Sequence, residues 1–102
     1  FASKAEAKRY GELKLLEKAG KIKGLQLHPR FPLEIKSQLI CIYIADFSYG
    51  VKFNKSAPGV DSRAIFLTVI VEDCKGFRTP VYRIKKKLMK AIYGIDIVEI
   101  EA

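Results

Sequence analysis

One histidine and two cysteines are all the imidazole and thiol ligands in these 102 residues. His28, Cys41 and Cys74 stand far apart in the chain. Structural zinc draws on several such ligands at close spacing, so a zinc fold is not expected. Nothing near His28 assembles a serine–histidine–aspartate arrangement, and the residue reads as a surface or packing side chain. Long apolar runs are missing as well. A bilayer needs about 20 consecutive apolar residues, whereas the longest run, LICIYIADF, is strand-sized and broken by Asp46. No membrane association is expected. The first residues are charged and helical in pattern, unlike an apolar leader, and a start at Phe1 without methionine suggests a longer parent chain. Both cysteines sit in apolar strand patterns and read as reduced core residues of a cytoplasmic protein. Repeats and low-complexity segments are absent. Acids are outnumbered, 11 against 19 lysines and arginines, for a net charge of +8. That balance suits a polyanionic partner: DNA, RNA or a membrane surface.

What is present fits one α/β domain over residues 1–102, with 49% hydrophobic residues to fill a single core. Residues 3–19 read as a helix that Ser3 and Glu6 open as a capping box and Gly20 closes. Its apolar stripe is Ala5, Leu13 and Leu16 with Tyr10 at the edge, and Glu6 falls inside that stripe. Residues 25–35 alternate as a strand with one wet face, made edge-like by Pro29 and Pro32. Residues 38–49 are apolar on both faces and predict a central strand. A long loop is expected over 50–64, then a third strand over 65–75. Thr79 as N-cap and Pro80 at the first helical position predict a second helix to Tyr93, stopped by Gly94. Its apolar stripe is Val81, Ile84, Leu88 and Ile92, with Arg83, Lys86, Lys87 and Lys90 on the far side. Residues 95–100 form a last strand. The order αβββαβ predicts a mixed four-stranded sheet flanked by helices, its last strand parallel to a neighbour.

The two most apolar segments end in charge. Side chains two apart in a strand share a face, so Asp73 and Lys75 point one way and Glu72 and Cys74 the other. Asp46 lies near the end of the preceding strand and meets Asp73 only if one strand diverges there. Two adjacent carboxylates repel unless a proton or cation lies between them. A hard divalent cation accepts such carboxylates together with water and phosphate oxygens. Lys75 beside them could orient a water or neutralise a scissile phosphate.

Asp46, followed by Asp73-Cys74-Lys75 at the end of an apolar strand, resembles the signature of the PD-(D/E)XK nuclease superfamily. The αβββαβ order resembles that superfamily's core. SKAEAKRY, IADF, VEDCKGF and the basic helix after them also resemble a family of small phage and prophage proteins, long labelled as of unknown function and grouped with these nucleases. The resemblance covers most of the chain outside 50–64. It implies a Mg²⁺- or Mn²⁺-dependent DNA endonuclease in the cytoplasm of a bacterial host, with branched or junction DNA among its candidate substrates. Asp46 and Asp73 would be the metal-binding acids, Lys75 the catalytic lysine, and Glu6 the helix glutamate that supports metal or water. Gln26 could line the site, and Lys85 could reach substrate phosphate. Arg83, Lys86, Lys87 and Lys90 would contact the DNA backbone. A homodimer would supply two sites for symmetric cutting.

Plainer roles exist for each residue. Glu6 could only cap its helix, Asp46 only form a turn, and Asp73 with Lys75 only make an ion pair. Glu72 reads as a surface or cross-strand ion-pair partner. The rival functions are a non-catalytic nucleic-acid-binding module and a phage interaction protein on a degenerate nuclease fold.

Overall fold

The computed structural model describes residues 3–54, 65–76 and 78–101. Helix α1 (Lys4–Lys18) starts where Ser3 Oγ accepts the Glu6 amide at 3.1 Å. Strands β1 (Lys23–Leu27), β2 (Arg30–Ile35), β3 (Gln38–Ile44), β4 (Phe47–Asn54) and β5 (Ile65–Lys75) follow. Helix α2 (Pro80–Tyr93) is capped by Thr79 Oγ1, which accepts the Tyr82 amide at 3.1 Å, and ends at Gly94 with φ 69°. Strand β6 (Val98–Glu101) completes the fold. The main sheet runs β1-β4-β5-β6, and β2 and β3 form a separate two-stranded sheet. β6 lies parallel to β5, and the other pairs are antiparallel. The mixed four-stranded sheet with two helices is thus as expected. No helix among the described residues is long and apolar enough to cross a membrane.

The first two expected strands are each broken in two. Pro29 cannot donate to a ladder, and His28 before it takes a left-handed φ of 50°. The partner strand breaks opposite, at Ala45 and Asp46. Pairing continues across the break: the His28 amide donates to the Asp46 carbonyl at 2.9 Å and the Ala45 amide to the Pro29 carbonyl at 3.1 Å. One long bent hairpin results, closed at its tip by Lys36 and Ser37. Their φ values of 50° and 65° are those of a two-residue turn matched to strand twist.

The bend divides the core. Leu13 and Ile22 pack with Phe47 and Tyr49 on the α1 side of the sheet. On the α2 side, Leu33, Tyr43, Ala45, Val71, Tyr82, Met89 and Ile97 form the larger cluster. Phe47, Tyr49 and Val51 of β4 therefore face α1, whereas Cys41 and Tyr43 of β3 face the α2 cluster. An alternation that looks continuous in sequence changes sides at Asp46.

Several expectations need correction. Residues 50–54 are not loop: they pair with β5 through Asn54↔Ile65, because cross-strand pairing overrides the local turn propensity of Gly50. The rest of that stretch, 55–64, lies outside the described residues. β3 is not central. Its Ile40, Ile42 and Ile44 form an exposed row, 52%, 37% and 49% accessible. On α2 the deeply buried seats are Tyr82 and Met89, while Val81 and Ile84 are exposed. The sheet lies roughly a quarter-turn around the helix from the stripe that periodicity picked out. On α1, Leu13 is fully buried and Leu16 exposed.

Candidate metal centre

The break in the hairpin is where the acids meet. β4 leaves the β5 ladder at Phe47↔Glu72. Beyond that pair, β5 continues through Asp73, Cys74 and Lys75 with β6 on one side. On the other side Asp46 takes over. Its amide donates to the Glu72 carbonyl at 3.2 Å, and its Oδ2 accepts the Cys74 amide at 2.7 Å. The strand divergence that the Asp46–Asp73 encounter required is this break.

Asp73 is buried. Its Oδ2 accepts the Tyr43 hydroxyl and lies 3.4 Å from Lys75 Nζ. The Asp46 carboxyl, bonded to the amide of Cys74, the next residue in the strand, is close enough to act on Asp73 electrostatically. Burial raises the Asp73 carboxyl to about 6, and the charge of Asp46 pushes the same way, while the Tyr43 hydroxyl and Lys75 oppose it. Tyr43, between its own burial and this carboxylate, is held well above the ordinary phenol range. Lys75 Nζ sits 4.3 Å from the centre of the Tyr82 ring, close enough for a cation–π contact. It opens onto a cavity of about 240 Å³ with Ile42, Thr79, Val81 and Lys85 on its walls.

Glu6 arrives from α1. It is 3% exposed, and its Oε1 lies 2.8 Å from His28 Nε2. Ser3 caps the Glu6 amide, but the Glu6 carboxylate reaches the strand break rather than the helix start. Glu6, His28 and Asp46 each offer one ligand atom, all within 4.8 Å of one another. Oxygen and nitrogen ligands about 2.0–2.6 Å from one ion can lie up to about 5 Å apart, so this spacing fits a single divalent ion.

The neighbouring residues point elsewhere. Glu72, 1% exposed, faces α1, where Arg9 Nε and Nη2 grip its two oxygens at 2.8 and 2.7 Å and the Tyr49 hydroxyl donates to Oε2. It is an ion-pair partner, as expected, but a buried one that joins helix to sheet. Its carboxylate holds the Arg9 guanidinium above its ordinary range. Burial first, then the bond to Glu72, raises the Tyr49 hydroxyl to about 12. Burial and four surrounding acids push the Cys74 thiol up to about 11, far from a reactive thiolate. Both cysteines are free.

A family model described as "Protein of unknown function (DUF1064)" matches residues 1–97. The chain belongs to this family. No curated protein and no solved structure matches it.

In this DUF1064 member the four residues expected to be catalytic are linked through Asp46: Glu6 lies within 4.8 Å of it, and Asp73, with Lys75 at 3.4 Å, stands on its other side. His28 and Tyr43 join them unforeseen. His28 carried one signal, its place before Pro29 at the end of an alternating run. Tyr43 looked like any strand aromatic. Gln26 does not join: it lines a separate cavity with Arg30 and Ser48. The basic helix face is partly neutralised. Lys86 pairs with Glu99 at 3.3 Å and Lys90 with Asp96 at 2.9 Å, and Lys85 Nζ donates to the Ile42 carbonyl at 3.1 Å. Burial works against the Glu99 charge, yet bonds from Tyr82, Arg78 and Lys86 hold that carboxyl below its ordinary range. Arg83 and Lys87 are exposed and have no ion-pair partner among the described residues. Both line a hollow of about 650 Å³ between α2 and Glu99, which contains none of Glu6, Asp46 or Asp73.

Proposed function

We propose that this protein is a divalent-metal-dependent DNA endonuclease of the PD-(D/E)XK type, phage- or prophage-encoded and acting on duplex or branched DNA. The observation that carries this reading is the meeting of Asp46 and Asp73 at the hairpin break, with Lys75 on one side and Glu6 and His28 on the other. The donor set fits a metal: hard carboxylate oxygens, one imidazole nitrogen, and two neighbouring carboxyls whose repulsion a cation would relieve. Asp46, Glu6 and His28, whose ligand atoms lie within 4.8 Å of one another, would hold the ion, with the Asp73 carboxyl beside Asp46. An imidazole in the set favours Mn²⁺ over Mg²⁺. Such an ion supplies charge stabilisation at a phosphate and a more acidic bound water.

The chain's own groups do the rest. Lys75 places a cation beside Asp73 at the edge of the cavity, where it can orient a water or meet phosphate charge. Tyr43 fixes the Asp73 carboxylate. Arg83 and Lys87, with the net charge of +8, would draw the DNA backbone toward the molecule.

A non-catalytic DNA-binding module is the second reading. It is favoured by one observation: no buried side-chain nitrogen or oxygen among the described residues lacks a partner, so the acids are accommodated without an ion. Cleavage assays on linear, nicked and four-way-junction DNA with Mg²⁺ or Mn²⁺ separate the two. The nuclease reading expects cleavage that Asp73→Ala and Lys75→Ala each abolish. Metal-independent DNA binding without cleavage, or cleavage unchanged in both variants, refutes it.

A further inference from the structure

We propose that the Arg9–Glu72 pair sets the register of α1 and thereby holds Glu6 in the metal centre, which makes Arg9 a positioning residue for a ligand it does not touch. The inference rests on the nuclease reading above. Glu6 and Arg9 are three residues apart and share one side of α1. That side has little apolar surface to seat it. Leu13 is its fully buried aliphatic, and Tyr10 stacks on Phe47 at 6.2 Å between ring centres. Such contacts are non-directional and tolerate sliding along the sheet. A two-point guanidinium–carboxylate fork does not, since it fixes both distance and angle. The fork sits on Glu72, beside Asp73 in the same strand and on the opposite face. Two successive residues of β5 thus anchor the helix and the metal centre, and the position of Glu6 relative to Asp73 is set through the sheet. At the far end of α1, Glu17 Oε2 accepts the Leu25 amide at 3.0 Å, so loss of the fork would loosen the N-terminal half of the helix while its other end stays tied.

The test combines Arg9→Lys, which keeps the charge and loses the fork, with Glu6→Gln. Mn²⁺ affinity by calorimetry and the His28 imidazole signal by NMR in EDTA are read on each single variant and the double. Arg9→Lys, folded by circular dichroism, should bind Mn²⁺ roughly tenfold more weakly and should add no loss in the Glu6→Gln background. It should also move the His28 signal toward its Glu6→Gln position. Unchanged affinity, or losses that add across the two sites, overturns the proposal. If Arg9→Lys does not fold, Glu72→Gln, which replaces the carboxylate end of the fork by a neutral amide, is read by the same criteria. If the wild-type protein binds no Mn²⁺, the nuclease reading falls, and the His28 signal alone decides the positioning role: movement with Arg9→Lys upholds it and a static signal overturns it.

Discussion

Replacing Asp73 with asparagine should make the protein more stable at neutral pH. The wild-type carboxyl is raised to about 6 by burial and by Asp46, roughly two pH units above the ordinary carboxyl value. At about 1.4 kcal/mol per pH unit, ionising Asp73 in the folded protein costs at most about 3 kcal/mol. The folded state binds more protons than the unfolded one between about pH 4 and pH 6, so wild-type stability falls as pH rises through that window and levels off above it. Asparagine has nearly the shape of the neutral acid and keeps an oxygen for the Tyr43 hydroxyl. The variant lacks this pH dependence. For a domain of this size, about 1 kcal/mol corresponds to about 4–8 °C in Tm, so even half the full effect raises Tm by at least about 6 °C at pH 7.5. Thermal melts in EDTA from pH 4.5 to 8 measure the difference. It should be small at the acid end and reach its plateau above about pH 7. An asparagine variant that melts at or below wild type at pH 7.5, or a gain independent of pH, refutes the argument that Asp73 is held ionised against its surroundings.

Glu72→Ala should destabilise the fold by about 3–5 kcal/mol in urea denaturation, because it leaves the Arg9 charge and the Tyr49 hydroxyl without their partner. His28→Ala should shift metal preference toward Mg²⁺, read as a larger loss of Mn²⁺ than of Mg²⁺ affinity by calorimetry. Arg83→Glu with Lys87→Glu should weaken DNA binding and flatten its salt dependence, lowering the slope of log K against log salt by about 2 in titrations at several ionic strengths, whereas Lys90→Ala should have a smaller effect because Asp96 already pairs with it.

Helix ends were legible because caps are local. Ser3, Thr79 with Pro80, and Gly94 stand where sequence placed them. Face parity was equally legible, separating Asp73 from Glu72, and so was Glu6 as the carboxylate within an apolar stripe. The hairpin break was not. The alternation runs straight through it, and the residues on either side of Asp46 are both buried, one in each cluster. Period-2 patterning states which residues share a face but not what that face packs against. The same gap explains α2, where Tyr82 and Met89 occupy the core because of where the helix axis lies over the sheet. His28 belonged to no motif, and a left-handed turn before a proline brought it to Glu6.

The exposed isoleucine row on β3 bears on how the protein stays dispersed. β3 has no partner on its far side among the described residues, and an open edge beside Ile40, Ile42 and Ile44 is a template for another strand. Lys85 blocks it. Its ammonium occupies the Ile42 carbonyl and places charge against the open edge, a gatekeeper against fibril-type stacking. Removing the Lys85 charge from this edge should therefore appear as turbidity or thioflavin binding before any change in folding.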